Sequence, residues 1–189
     1  MNLESLFKIL GAIWVVGEIL IAILTRTRQG KGKIQDRGTQ ILLWVVIVGT
    51  SWLDVWMHNF FPPDMPGRDS WLLPVALGIL IFGLVIRAVA VITLGRAFSA
   101  NVAVREGQNL QRNGLYRLVR HPSYLGLEMI FLGYALHSRT WARFAVFFVP
   151  TTLALLYRIH VEEIALRQAF GADYEDYCRS TKRLIPGIY

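Results

Sequence analysis

Arg120-His121-Pro122-Ser123-Tyr124-Leu125-Gly126 opens an apolar run that continues from Tyr124 to Leu136. Arg158-Ile159-His160-Val161-Glu162-Glu163 closes another, Trp141 to Tyr157. Both polar stretches therefore fall at the margins of long apolar segments, which places them at the rim of a helical membrane bundle. Pro122 suits the first turn of a helix and leaves neighbouring amide donors free for an anionic group. A helix start, basic groups, an aromatic hydroxyl and a carboxylate pair at one rim point to a site for a charged cofactor. The polar tail beyond Glu163 is expected to complete it.

Working outward, only His137-Ser138-Arg139-Thr140 separates the two runs, so they form a tight antiparallel helical hairpin. The first of them, extended by Pro122 and Ser123, is short for a full span, and Pro150 is expected to bend the second. Earlier apolar runs cover Leu6 to Leu24, Ile41 to Met57 and Trp71 to Leu94. Arg26, Arg28, Lys31, Lys33 and Arg37 crowd the first connection, and Arg96, Arg105, Arg112, Arg117 and Arg120 the third. Basic connections face inward, so the amino terminus is expected outside and the carboxy terminus in the cytoplasm. Five crossings satisfy that parity. The expectation is an all-α, polytopic protein: one membrane domain over residues 1–189, with three spans in 1–94 and the hairpin and tail in 95–189. A bacterial inner membrane is the expected location.

Composition agrees with this class. Of 189 residues, 54% are hydrophobic and 17% charged, and the charge gathers in connecting segments. The net charge of +7 is therefore not read as a nucleic-acid surface. The single cysteine, Cys178, excludes an intrachain disulfide and a Cys-based metal site. One histidine beside carboxylates gives no distinctive ligand geometry, so no metal is expected. The basic flank follows the first apolar run, which argues against a secretory leader.

Among the ionisable residues within the apolar runs, Glu18, Asp54, Arg87 and Glu128 are singled out. Asp54 lies near a helix end and can reach water. Arg87 is expected to pair with Glu18 or Glu128 across the bundle, either as a structural tie or as a polar wall for a ligand. Gly126 and Gly133 share one helix face and, taken alone, favour close packing. Arg158 and Glu162 share a face, as do His160 and Glu163, either as a solvated helix end or as a site for a cationic sulfonium, an amine or ribose hydroxyls.

The order and spacing of Gly114-Leu115-Tyr116, Arg120 to Gly126, Gly133, Arg158 to Glu163, Leu166, Phe170-Gly171-Ala172-Asp173-Tyr174-Glu175-Asp176-Tyr177 and Ile185-Pro186 resemble the isoprenylcysteine carboxyl methyltransferase family and its phospholipid-methyltransferase relatives. The resemblance implies S-adenosylmethionine as methyl donor, bound under a closing tail, and a lipid or prenylated acceptor entering from the bilayer. It implies that His121, Tyr124, Gly126, Glu162 and Glu163 surround the donor, with Tyr116 and Arg120 nearby. Arg158 matches the basic residue near the acceptor carboxylate, and Arg96 a second contact. The Asn-Phe-x-His-like segment of the eukaryotic enzymes is replaced here by Ala97-Phe98-Ser99-Ala100-Asn101, which leaves the acceptor open.

A carboxylate acceptor is already ionised and needs no base. An amine acceptor must be deprotonated, and Glu128 is then a candidate base. The alternatives are lipid amine N-methylation, a nicotinamide-dependent membrane reductase with a similar His-Pro/Tyr/Gly arrangement, and a non-enzymatic lipid-binding protein.

Overall fold

The apolar runs form helices because only one of them carries a proline beyond its first turn. The computed structural model describes residues 2–25, 33–34, 38–67, 70–95, 103–104 and 110–187. Its helices are α1 (Leu3–Thr25), α2 (Thr39–Met57), α3 (Leu72–Leu94), α4 (Pro122–His137), α5 (Trp141–Phe170) and α6 (Ala172–Ser180). A 3-10 turn, Gly114–Arg117, precedes α4. Strands β1 (Lys33–Ile34) and β2 (Ala103–Val104) pair antiparallel, Lys33 with Val104 and Ile34 with Ala103. That pairing brings the first and third connections together at one end of the bundle.

Among the described residues, four helices, α1, α2, α3 and α5, are long and apolar enough to cross a membrane. The expected fifth crossing falls on α4, which has 16 residues and spans only about 24 Å. Helix α5 runs to 30 residues, well past Tyr157, and remains α-helical on both sides of Pro150. Its carboxyl-terminal turns carry Glu162 and Glu163 out to the rim.

Helix α4 is the buried centre. A Cβ on Gly126 would stand 2.7 Å from the Arg87 backbone nitrogen, and one on Gly83 would stand 2.7 Å from the Gly126 carbonyl oxygen. Farther along the same face, a Cβ on Gly133 would stand 2.9 Å from the Ala76 carbonyl oxygen. Small residues thus let α3 and α4 approach backbone to backbone. Leu80, Ile130, Phe131, Leu155 and Ile159 fill the core from α3, α4 and α5. Helices α1 and α2 pack on the outside and keep many large apolar side chains exposed, as lipid-facing helices do.

At the end opposite the strand pair, Glu4 of α1 meets His137 at 2.8 Å and also binds Arg139 in the α4–α5 turn. Asp54, expected to reach water at its helix end, keeps a side chain 25% exposed and is also gripped by Arg143 Nε and Nη2 at 2.7 and 2.8 Å. The pairing lowers the cost of both charges near the bundle's end. The sequence placed Arg143 in an apolar run and offered no sign that it shared Asp54's depth.

Candidate functional site

Helix α4 starts where the chain is pinned by the tail. The backbone amides of Arg120 and His121 donate to the carbonyls of Lys182 and Arg183 at 2.8 and 3.0 Å. Pro122 takes the first helical position and His121 the cap. The tail, as expected, lies against the helix start.

Glu163 is the knot of that closure. It is 2% exposed, and Arg120 Nε and Arg183 Nε donate to its two oxygens at 3.1 and 3.0 Å. Arg120 also donates to the carbonyls of Cys178 and Thr181. His121 Nε2 lies 3.5 Å from Glu163 Oε1, an ion-pair contact without a hydrogen bond of good geometry at this buried nitrogen. Sequence reasoning grouped Glu163 with His160, but His160 is exposed while Glu163 is covered by the tail. Arg183 of the tail reaches Glu163 while His160 stays exposed, a distinction that helical spacing does not carry.

Glu162, one residue earlier, has a different role. The Tyr124 hydroxyl donates to Glu162 Oε2 at 2.5 Å and accepts from Arg158 Nε at 2.9 Å. Arg158 is buried, and its Nη1 donates to Thr39 Oγ1 at 2.9 Å, which ties α5 to the first turn of α2. Arg158, Tyr124 and Glu162 thus form one chain of charge-assisted hydrogen bonds across α4 and α5. Thr39 and Arg183 were not singled out by sequence reasoning. Neither stands in a periodic pattern, and only the fold brings them to Arg158 and Glu163.

Tyr116 is buried under the same tail. Its carbonyl accepts from Tyr177 at 2.5 Å and its hydroxyl approaches the Ala90 carbonyl at 3.4 Å. Burial, followed by the charge of Glu162, raises the Tyr116 phenol well above its usual range. Burial likewise pushes Tyr177 up to about 12, so both rings are neutral donors.

Arg87 pairs with Glu18, one of its two expected partners, through Nε and Nη2 at 2.8 and 2.9 Å. Its Nη1 donates to the carbonyl and hydroxyl of Ser123, in the first turn of α4. Gly126 makes this close approach possible. Glu128 takes Thr152 Oγ1 at 2.6 Å on Oε1, while its Oε2 is buried without a hydrogen bond. Arg96 lies outside the described residues. Among the described residues, no group of three or more His, Cys, Asp or Glu could hold a metal.

Between α1 and α2 lies a small, partly open cleft of about 40 Å³. Glu18, Arg87, Tyr124 and Arg158 line its polar part, and Trp14 and Trp44 its apolar part. The geometry therefore joins an amphipathic cleft on one side of Tyr124 to a tail-covered carboxylate cluster on the other.

The family description "Isoprenylcysteine carboxyl methyltransferase (ICMT) family" matches residues 76–168, which include the α4 start and both carboxylates. The chain belongs to this family. It is 35% identical over 128 residues to the probable protein-S-isoprenylcysteine O-methyltransferase of rice, covering 64% of this chain and 65% of that protein. The protein-S-isoprenylcysteine O-methyltransferase of Dictyostelium discoideum is 31% identical over 149 residues, covering 74% and 59% of the two chains. The chain thus spans somewhat under two thirds of the length of these ICMT-family relatives. Its fold matches the solved structure of the eukaryotic intramembrane Ras methyltransferase ICMT with a TM-score of 0.73, at 23% identity, over 98% of this chain and 67% of that one.

The relatives correct one expectation. They come from plants, a slime mould, an insect and rodents, and the matched structure is eukaryotic, which overturns a bacterial inner membrane as the location. Basic connections orient a protein across a membrane and carry no information on which membrane it is.

Proposed function

We propose that this ICMT-family chain transfers a methyl group from S-adenosylmethionine to the carboxylate of a lipid-borne acceptor of the isoprenylcysteine type. The acceptor enters from the bilayer, and the donor is held beneath the tail at the rim of five crossings, α4 being the fifth. Helix α4 is buried among its neighbours within the bundle, which favours counting it despite its 16 residues. The observation that carries the reading is Tyr124: its hydroxyl is held between Arg158, which lines the cleft, and Glu162, beside the tail.

The residues present fit the donor. His121 Nε2 is buried and lacks a hydrogen bond, and Glu162, held by the Tyr124 hydroxyl, presents a carboxylate at the end of α5, suited to a ribose or a cationic group. Tyr116, His121, Tyr124 and Glu162 would hold the donor, with Gly126 letting α3 close on α4 and Arg120 and Glu163 keeping the tail shut over it. The chemistry that S-adenosylmethionine supplies at such a site is an electrophilic methyl on a sulfonium sulfur.

The chain's own groups then orient and exclude. Arg158 is fixed by Tyr124 and Thr39, so its guanidinium presents a set direction to the acceptor carboxylate. Arg96 is proposed as a second contact. No base is needed, because the acceptor oxygen is already ionised. Arg158 aligns that oxygen without clamping it, since a carboxylate losing charge in the transition state is slowed by a pair that is too strong. Apolar walls and the closed tail keep competing water out.

Calorimetry with S-adenosylhomocysteine and with NADPH tests the donor assignment on the purified protein. Binding of S-adenosylhomocysteine and not NADPH is expected. The reverse result would replace methyl transfer with nicotinamide-dependent reduction.

A further inference from the structure

The polar part of the α1–α2 cleft contains an acid as well as two arginines. Glu18 lines the cleft beside Arg87, Tyr124 and Arg158. Its side chain is 12% exposed and Arg87's is 9%, so neither charge is strongly screened by water. An ionised Glu18 facing the cleft opposes any anionic headgroup that enters. Arg87 offsets that charge with a two-point fork at 2.8 and 2.9 Å. Glu18 stands on α1, outside residues 76–168 that the family description covers, while its partner Arg87 lies within them.

We infer that the Glu18–Arg87 pair determines the charge of the headgroup admitted to the cleft: Arg87 masks Glu18, and the masked pair lets a carboxylate reach Arg158. The inference rests on the reading of the acceptor as a lipid-borne carboxylate and names two specificity residues for it. Removing Arg87 unmasks an anion in the acceptor's path. Removing the Glu18 charge leaves Arg87 more attractive to an anion. The two changes therefore move the affinity for an anionic acceptor in opposite directions. A pair that only ties α1 to α3 and to Ser123 predicts loss of stability from both changes and no opposition of sign.

The test uses the full chain in nanodiscs, with labelled S-adenosylmethionine. KM is measured for N-acetyl-S-prenylcysteine and the inhibition constant for its neutral carboxamide. Arg87→Gln is expected to raise KM about tenfold, the scale of one unit charge across a partly buried cleft, with the carboxamide constant nearly unmoved. Glu18→Gln is expected to lower KM, and the double variant to return it towards the starting value. Glu18→Gln keeps Arg87 on Ser123, so it decides the matter even if Arg87→Gln fails to fold. Equal shifts for the carboxylate and the carboxamide, a raised or unchanged KM in Glu18→Gln, or a double variant no better than Arg87→Gln would each overturn the inference alone. Donor binding without any methyl ester from the unaltered protein would overturn the carboxylate reading, and this inference with it.

Discussion

The Tyr124 hydroxyl lies 2.9 Å from Arg158 Nε, and the guanidinium carbon sits 5.9 Å from the centroid of the same ring. One side chain on α4 thus fixes both the direction and the height of the arginine on α5. The same hydroxyl reaches Glu162, so a change at Tyr124 is felt on both sides of the site.

Tyr124→Phe keeps the ring beneath Arg158 and deletes the hydroxyl. Hydrogen bonds to charged groups are worth about 1.5–3 kcal/mol, so turnover is expected to fall roughly ten- to a hundredfold. Thermal unfolding should move little by comparison. Steady-state kinetics beside a melting curve on the same preparation check this.

Arg158→Lys retains the charge and loses the planar fork that contacts both Tyr124 and Thr39. Turnover per folded molecule is expected to drop steeply with donor affinity unchanged, and Arg158→Ala should be at least as severe. If Arg158 serves only to tie α5 to α2, stability falls while the surviving folded protein turns over normally.

The two adjacent glutamates should separate. Glu163→Gln removes a buried charge from between Arg120 and Arg183, and breaking such a pair typically costs about 3–5 kcal/mol. Its tail is expected to become sensitive to limited proteolysis, with donor affinity lost as a consequence. Glu162→Gln should weaken donor binding while the tail stays resistant. Identical proteolysis profiles for the two variants would remove the division of labour.

Gly126→Ala places a methyl against the Arg87 backbone at 2.7 Å. Overpacking of this kind costs about 1–3 kcal/mol. A lower melting temperature is expected, together with a raised KM for the acceptor, because α3 carries Arg87 away from Ser123 as it moves. A melting temperature unchanged from the parent would show that α3 and α4 leave room for a methyl at Gly126.

Much of this was legible in the chain. Apolar runs and their margins located α1, α2, α3 and the hairpin, and Pro122 marked the start of α4. Opposite charges at similar depth narrowed the partner of Arg87 to Glu18 or Glu128, and the fold selects Glu18. What the sequence could not separate was Glu162 from Glu163. Both lie at the end of α5, and only the tail's path, through the backbone pairing of Arg120 and His121 with Lys182 and Arg183, buries one and leaves the other at Tyr124. Arg143 on Asp54 escaped for a similar reason. Pairing across a bundle depends on helix rotation, and apolar periodicity is weak in helices wetted by lipid on several sides.

The central claim is that the methyl group goes to a lipid-borne carboxylate. Purified protein incubated with labelled S-adenosylmethionine and N-acetyl-S-prenylcysteine measures it directly, because a methyl ester releases its label as methanol in mild base while an N-methyl group does not. The account predicts base-labile label on the prenylcysteine, lost in Arg158→Ala. Base-stable label on a lipid amine, with none on the prenylcysteine, would contradict it.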